Sequence, residues 1–124
     1  MAEKILVAED NPTNMKLITV ALKKQGYTLL QAADGEEALE AAVRNAPDLI
    51  IMDMQLPKIS GWEVTRKLRQ MPDFGNVPII AVTAYAMKED KERAIEAGCN
   101  AYLPKPIDIN QLRSVVAEML LKQG

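Results

Sequence analysis

The chain has 124 residues, 48% hydrophobic and 26% charged, which is ordinary globular composition with room for one domain, 1–124, and its own core. Fifteen basic against 17 acidic residues leave a net charge of −2 with no basic block, so nothing in the chain attracts nucleic acid. One cysteine excludes an internal disulfide framework, and no apolar run approaches the ~18 residues of a membrane span.

Met1, Ala2, Glu3 and Lys4 carry no signal-peptide pattern, so the expected setting is cytoplasmic. KILVAE at 4–9 is a short apolar run and predicts the first strand. Asn11 followed by Pro12 reads as an N-cap with proline at the first helical position, and Gly26 fits the residue just past the helix end. TLLQAA at 28–33 predicts a second, weaker strand. Asp34 with Glu37 resembles a capping box, after which Leu39, Ala42, Val43 and Ala46 keep one helix face apolar. DLIIMD at 48–53 is the third strand. Ser60-Gly61-Trp62-Glu63 is an S-x-x-E box leading into Val64, Leu68 and Met71 at helical spacing, with Trp62 expected on the helix surface. VPIIAVTA at 77–84 is the fourth strand, and a helix is predicted over roughly 87–97, ending at Gly98. Cys99 reads as a small buried filler in a reducing compartment. NAYLP at 100–104 is the fifth strand. The last helix begins at Asp108 and aligns Leu112, Val115, Val116, Met119 and Leu120.

Five β-α repeats of this size predict an α/β fold, a doubly wound parallel sheet of five strands with helices on both faces. The first, third and fourth runs are nearly continuous in Ile, Leu and Val, as interior strands should be. The other two suit edges, which is compatible with order 2-1-3-4-5, the flavodoxin-like arrangement.

Ligands in such a sheet sit beyond the carboxyl ends of the strands, where strand order reverses. The first strand delivers Glu9 and Asp10 there, the third Asp53, the fourth Thr83 and the fifth, just past its end, Lys105. Each has an ordinary reading: acids before a helix, a turn aspartate, a β-branched strand residue, a solvated lysine. Their combination at one sheet edge is what carries the argument. Three carboxylates against one ammonium must take up protons or recruit a cation. The chain has no histidine, so oxygen ligation of Mg²⁺ with several waters is the natural choice. The same absence removes a histidine general base and any phosphohistidine carried by the chain itself.

ILVAED at 5–10, DLIIMD at 48–53, VTA at 82–84 and LPKPI at 103–107 resemble the signature blocks of response-regulator receiver domains of two-component signalling. The resemblance spans essentially the whole chain. In style it is similar to stand-alone receivers of the cell-cycle-regulator kind and to receiver modules of hybrid histidine kinases. The Met1 start and full fifth helix favour the stand-alone form. The resemblance implies a signalling domain that catalyses only its own phosphorylation and dephosphorylation. Asp53 would take a phosphoryl group from the phosphohistidine of a histidine kinase or histidine phosphotransfer protein. Asp10 and Asp53 would ligate Mg²⁺ directly, Glu9 through water, and the backbone carbonyl of Gln55 would add a further ligand. Thr83 would hydrogen-bond the phosphoryl oxygen and Lys105 would pair with its charge. Tyr102 corresponds to an aromatic that turns inward as Thr83 moves, and small Ala84 leaves access for the donor. Gln55 and Tyr85 hold the positions that tune phosphoryl lifetime, with bulky Tyr85 expected to hinder water and prolong it. The Lys105–Pro106 bond is expected to be cis. The implied readout surface, facing a downstream protein target, is the fourth helix, fifth strand and fifth helix.

Charge-assisted bonds from Thr83 and Lys105 contribute about 1.5–3 kcal/mol each. A shift from ~1:99 to ~99:1 requires about 5.5 kcal/mol, so an incomplete shift is expected without help from a partner. The rival reading from another class is a small Mg²⁺-dependent aspartate-nucleophile phosphatase of the dehalogenase type. That group needs a second aspartate two residues past the nucleophile, where this chain has Gln55. A flavodoxin-like flavin carrier needs a phosphate-cradling Ser/Thr/Gly loop, where EDNPTN at 9–14 presents two acids. A degenerate receiver acting only as a binding module is disfavoured because every position the chemistry requires is filled.

Overall fold

The computed structural model describes residues 2–84 and 88–121. Strands β1 (Lys4–Ala8), β2 (Thr28–Ala32), β3 (Leu49–Asp53), β4 (Ile79–Thr83) and β5 (Ala101–Pro104) alternate with helices α1 (Pro12–Lys23), α2 (Gly35–Asn45), α3 (Gly61–Arg69), α4 (Lys88–Ala97) and α5 (Ile109–Leu121). The strands are parallel and run β2-β1-β3-β4-β5, as the sequence predicts. Among the described residues no helix is long and apolar enough to cross a membrane.

The sheet divides the core in two because successive strand residues point to opposite faces. Ile5, Val7, Leu49, Ile51, Ile80 and Val82 pack with Ile18 and Leu22 of α1 and Leu112 and Val116 of α5. The alternate set, Leu6, Ala8, Ile50, Met52, Ile79 and Ala81, packs with small and branched residues of α2, α3 and α4. Both faces of the central strands are therefore covered, which is why their sequences show no polar alternation.

Four helices start on side-chain caps. Asn11 Oδ1 accepts the Asn14 N–H at 3.0 Å, Ser60 Oγ the Glu63 N–H at 3.3 Å, and Asp108 Oδ1 the Gln111 N–H at 3.1 Å. Asp34 Oδ1 accepts the Glu37 N–H at 2.8 Å, while Glu37 Oε1 reaches back past the cap to accept the Ala33 N–H at 3.4 Å.

The structure departs from the sequence pattern in several places. The positive-φ turn after α1 comes at Gly26, two residues past the cap residue Lys24. The last turn tightens first, with Gln25 bonding Leu22 and Gly26 bonding Lys23 at 3.0 Å each. A short 3₁₀ turn at Pro72–Phe74, not predicted, precedes β4. Strand β4 begins at Ile79, after Pro78, which has no N–H to donate but whose carbonyl accepts from Ile50 at 3.0 Å. Trp62 is the clearest correction. It is buried in the core and not on the helix surface, because α4 packs beside α3 and the Arg93 guanidinium lies 3.9 Å above the indole centroid.

Helix α4 is lightly attached. It buries only Ala94 and Ala97, and Ile95 remains 55% exposed. Beyond its end, Arg69 clamps the loop by donating twice to the Gly98 carbonyl (3.0 and 2.8 Å) and once to Asn100 Oδ1 (2.8 Å). Its other nitrogen reaches the carbonyls of Phe74 and Val77, both at 2.7 Å. Gly98 itself sits at φ 114°, a conformation that L side chains rarely adopt.

Candidate functional site

Strand register assembles the site. Ala8 pairs with Met52, so Glu9 and Asp53 are the next residues along adjacent strands. Asp53 pairs with Val82, Thr83 with Pro104, and Lys105 follows at once, its N–H held by the Thr83 carbonyl at 2.8 Å. Helix α3 begins against the same strand end. The Gly61 N–H donates to the Met54 carbonyl at 3.0 Å, and a Cβ at Gly61 would collide with the Asp53 carbonyl oxygen. Only glycine permits that approach.

The carboxylate oxygens of Glu9, Asp10 and Asp53 lie within 4.8 Å of one another. Glu9 and Asp53 are buried, and Asp10 faces solvent. The Lys105 ammonium bridges the buried pair, 2.8 Å from Asp53 Oδ2 and 3.0 Å from Glu9 Oε1, and donates to Glu9 Oε2 at 3.3 Å. Asp53 Oδ1 accepts the Gln55 N–H at 2.9 Å, and Glu9 Oε2 accepts the Asn11 N–H at 3.0 Å. Thr83, also buried, donates its hydroxyl to Gln55 Oε1 at 3.0 Å.

The electrostatics follow from crowding. Burial pushes the Glu9 carboxyl above its ordinary value, and the Asp53 charge adds to that, against the Asn11 N–H and Lys105, which pull it down. Burial alone would lower the Lys105 ammonium, but its hydrogen bonds to Asp53 and Glu9 outweigh this and raise it. One positive charge still faces three carboxylates. Glu9 Oε1 is buried and receives no hydrogen bond, although the ammonium is close, because the angle is wrong for one. An all-oxygen donor set containing such an orphan and a solvent-facing partner in Asp10 fits a Mg²⁺ site.

Of the predicted residues, Glu9, Asp10, Asp53, Gln55, Thr83 and Lys105 come together, and the Lys105–Pro106 bond is cis. Ala84 is exposed beside them. Tyr102 lies half-buried on β5 against the α2–α4 side of the core. Its phenol is raised by burial and by Asp90 of α4. Tyr85 lies outside the described residues. Three features escaped sequence reasoning: the Asn11 N–H on Glu9, the close approach at Gly61 and the Gln55–Thr83 hydrogen bond. Only Gly61, a glycine inside a capping box, left a readable trace.

The family model "Response regulator receiver domain" matches residues 5–117. The chain belongs to the response-regulator receiver family. This receiver domain is 42% identical over 120 residues to the polar-differentiation response regulator DivK of Brucella anthropi, covering 97% of this chain and 98% of that one. Its fold is similar to the receiver domain of a sensor histidine kinase from Pseudomonas aeruginosa (TM-score 0.89, 38% identity, 97% and 98% of the two chains). That structure has a magnesium ion coordinated in its active-site cleft. The chemotaxis protein CheY4 of Vibrio cholerae is similar too (TM-score 0.90, 27% identity, 96% and 99% covered). The receiver domain is thus a two-component signalling protein and a response regulator of the DivK-like kind, and the phosphatase reading finds no support. Receiver domains work with histidine kinases or histidine phosphotransfer proteins.

Removing the bridging cation tests this electrostatic picture. Because the Lys105 value is raised in the fold, the ion pair's contribution is fully present at neutral pH and disappears only as pH rises past the ordinary 10.5. In metal-free buffer Lys105→Met should lose about 2–4 kcal/mol of urea-unfolding stability at pH 7. The deficit should shrink toward pH 4 as the stranded Glu9 carboxyl, raised by burial, takes up its proton.

Proposed function

We propose that this receiver domain accepts a phosphoryl group on Asp53 from the phosphohistidine of a histidine kinase or histidine phosphotransfer protein, and that the modified site alters binding to a downstream protein. The observation that carries this reading is the buried Asp53 carboxylate at the end of the central strand, held by the Lys105 ammonium on one oxygen and the Gln55 N–H on the other. A carboxylate oxygen of Asp53 attacks the phosphorus of the donor, a P–O bond forms, the P–N bond breaks, and the released imidazole takes up a proton. Glu9, Asp10 and Asp53, with the Gln55 backbone carbonyl, would hold Mg²⁺, which supplies charge neutralisation and open positions for phosphoryl oxygens. Lys105 then pairs with the added charge, and Thr83 supplies a hydroxyl to a phosphoryl oxygen. Tyr102 follows the movement of Thr83, and Gln55 and Tyr85 set how long the group survives. In this reading residues 1–124 act as one receiver unit in a cytoplasmic setting and assist only their own phosphorylation and its reversal.

The donor's docking surface belongs to the same proposal. A groove of about 640 Å³ runs between α1 and α5, starting at Pro12 and Thr13, two residues past Asp10. Leu17 and Val20 are 45% and 44% exposed along it, and Lys16, Lys24 and Arg113 line it with positive charge. That combination suits a helix with an apolar face and acidic flanks, presented by a histidine-bearing partner.

Two measurements test this reading. Incubation with acetyl phosphate and Mg²⁺ should add the mass of one phosphoryl group to the wild type and none to Asp53→Asn. An unmodified wild type contradicts the assignment. Leu17→Asp should slow transfer from a phosphohistidine donor about tenfold more than transfer from acetyl phosphate, as for a lost interface anchor. Equal slowing with both donors contradicts the docking surface.

A further inference from the structure

A threonine hydroxyl has one proton to donate. In this structure Thr83 gives it to Gln55 Oε1 at 3.0 Å. The same proton is the one a phosphoryl oxygen on Asp53 would require. We propose that Gln55 is a latch on Thr83: its side-chain amide holds the hydroxyl in the unphosphorylated domain and must release it before the switch can complete. This rests on the reading of Asp53 as the phosphoryl acceptor. It differs from lifetime tuning, because the latch sets the population of the switched state and not the rate at which the phosphoryl group is lost.

Two further observations define how the latch works. The Gln55 backbone N–H bonds Asp53 Oδ1 at 2.9 Å, so the latch is built on the residue whose own main chain grips the acceptor. Any change at the Asp53 carboxylate therefore reaches Gln55 directly. The far end of the amide is different: Gln55 Nε2 is buried and has no hydrogen-bond partner among the described residues. A buried orphan donor carries a desolvation cost. The side chain is thus held in place by a single bond and opposed by its own burial, so it lets go readily. Once Thr83 turns to the phosphoryl group, the freed amide can rotate to water and recover its hydration. Gln55 is a positioning residue acting through Thr83, and it keeps the unphosphorylated domain off without making the off state deep.

The test uses the intact chain with beryllofluoride as the phosphoryl mimic. Gln55→Met keeps the length and bulk of the side chain and removes both amide groups; Gln55→Leu is the second variant. With Mg²⁺ present, each should bind beryllofluoride about two- to tenfold more tightly than wild type, the range of one neutral hydrogen bond. In metal-free solution without the mimic, the Thr83 amide resonance of Gln55→Met should move toward its position in the beryllofluoride-loaded wild type. The affinity gain should persist when Gln55→Met is combined with Thr83→Ser, which keeps the hydroxyl, and vanish with Thr83→Ala. Unchanged or weaker binding in Gln55→Met overturns the latch, as does an equal gain in the Thr83→Ala background. Failure of the underlying reading looks different: the wild type itself would gain no phosphoryl mass from acetyl phosphate.

Discussion

A single ammonium holds two buried carboxylates together at the end of the central strands, and the behaviour of the site follows from that arithmetic. Lys105 touches both Asp53 and Glu9, yet Asp10 stands beside them and one oxygen of Glu9 still lacks a hydrogen bond. Such a cluster is tolerable only because one partner faces water and because the strand ends hold the charges in fixed positions. It is also incomplete. An incoming phosphoryl group would bring more negative charge to a pocket that already has too much, which is why a hard cation is proposed to come first. In the proposed reading, the repulsion among the carboxylates is what makes the site depend on metal.

The sheet makes this arrangement unavoidable. Parallel register places Glu9 and Asp53 one step beyond the pair Ala8–Met52, and Lys105 one step beyond Pro104, the partner of Thr83. Helix α4 follows β4 and begins at Lys88. That helix buries two alanines and leans on the Trp62–Arg93 contact, while Arg69 fixes the loop beyond its far end. A helix fastened by small side chains can be displaced by the few kcal/mol that one or two charge-assisted bonds supply. Tyr102, half-buried and close enough to Asp90 for the two to interact, stands at the boundary between the site and this helix. The Gln55–Thr83 bond is the proposed latch on the near side of such a displacement.

Much of this could be read from the residues alone. Unbroken Ile/Leu/Val runs marked β1, β3 and β4 as interior strands because burial on both faces leaves no room for polar alternation. Glu9, Asp10, Asp53 and Thr83 were legible because a charged or hydroxyl residue ending such a run has to face the same edge, and Lys105 because it directly follows the fifth, weaker run. Features that depend on side-chain direction were not. Trp62 occupies a first-turn position that reads as surface until Arg93 of another helix closes over it. Gln55 carries no periodic signal, and its hydrogen bond to a residue 28 positions away exists only once β3 and β4 lie side by side. The early turn tightening before Gly26 is equally silent, being a matter of backbone bonds that any side chain allows.

The carboxylate cluster is proposed to take up a divalent cation before Asp53 can be modified. The most direct measurement titrates Mg²⁺ into metal-free protein by calorimetry and, in parallel, follows phosphoryl uptake from acetyl phosphate by intact mass over the same concentrations. One binding site is expected, lost in Asp10→Asn, with phosphoryl uptake rising along the same saturation curve and absent in excess chelator. Phosphoryl uptake that proceeds equally well in chelator, or that ignores the occupancy of the Mg²⁺ site, would contradict it.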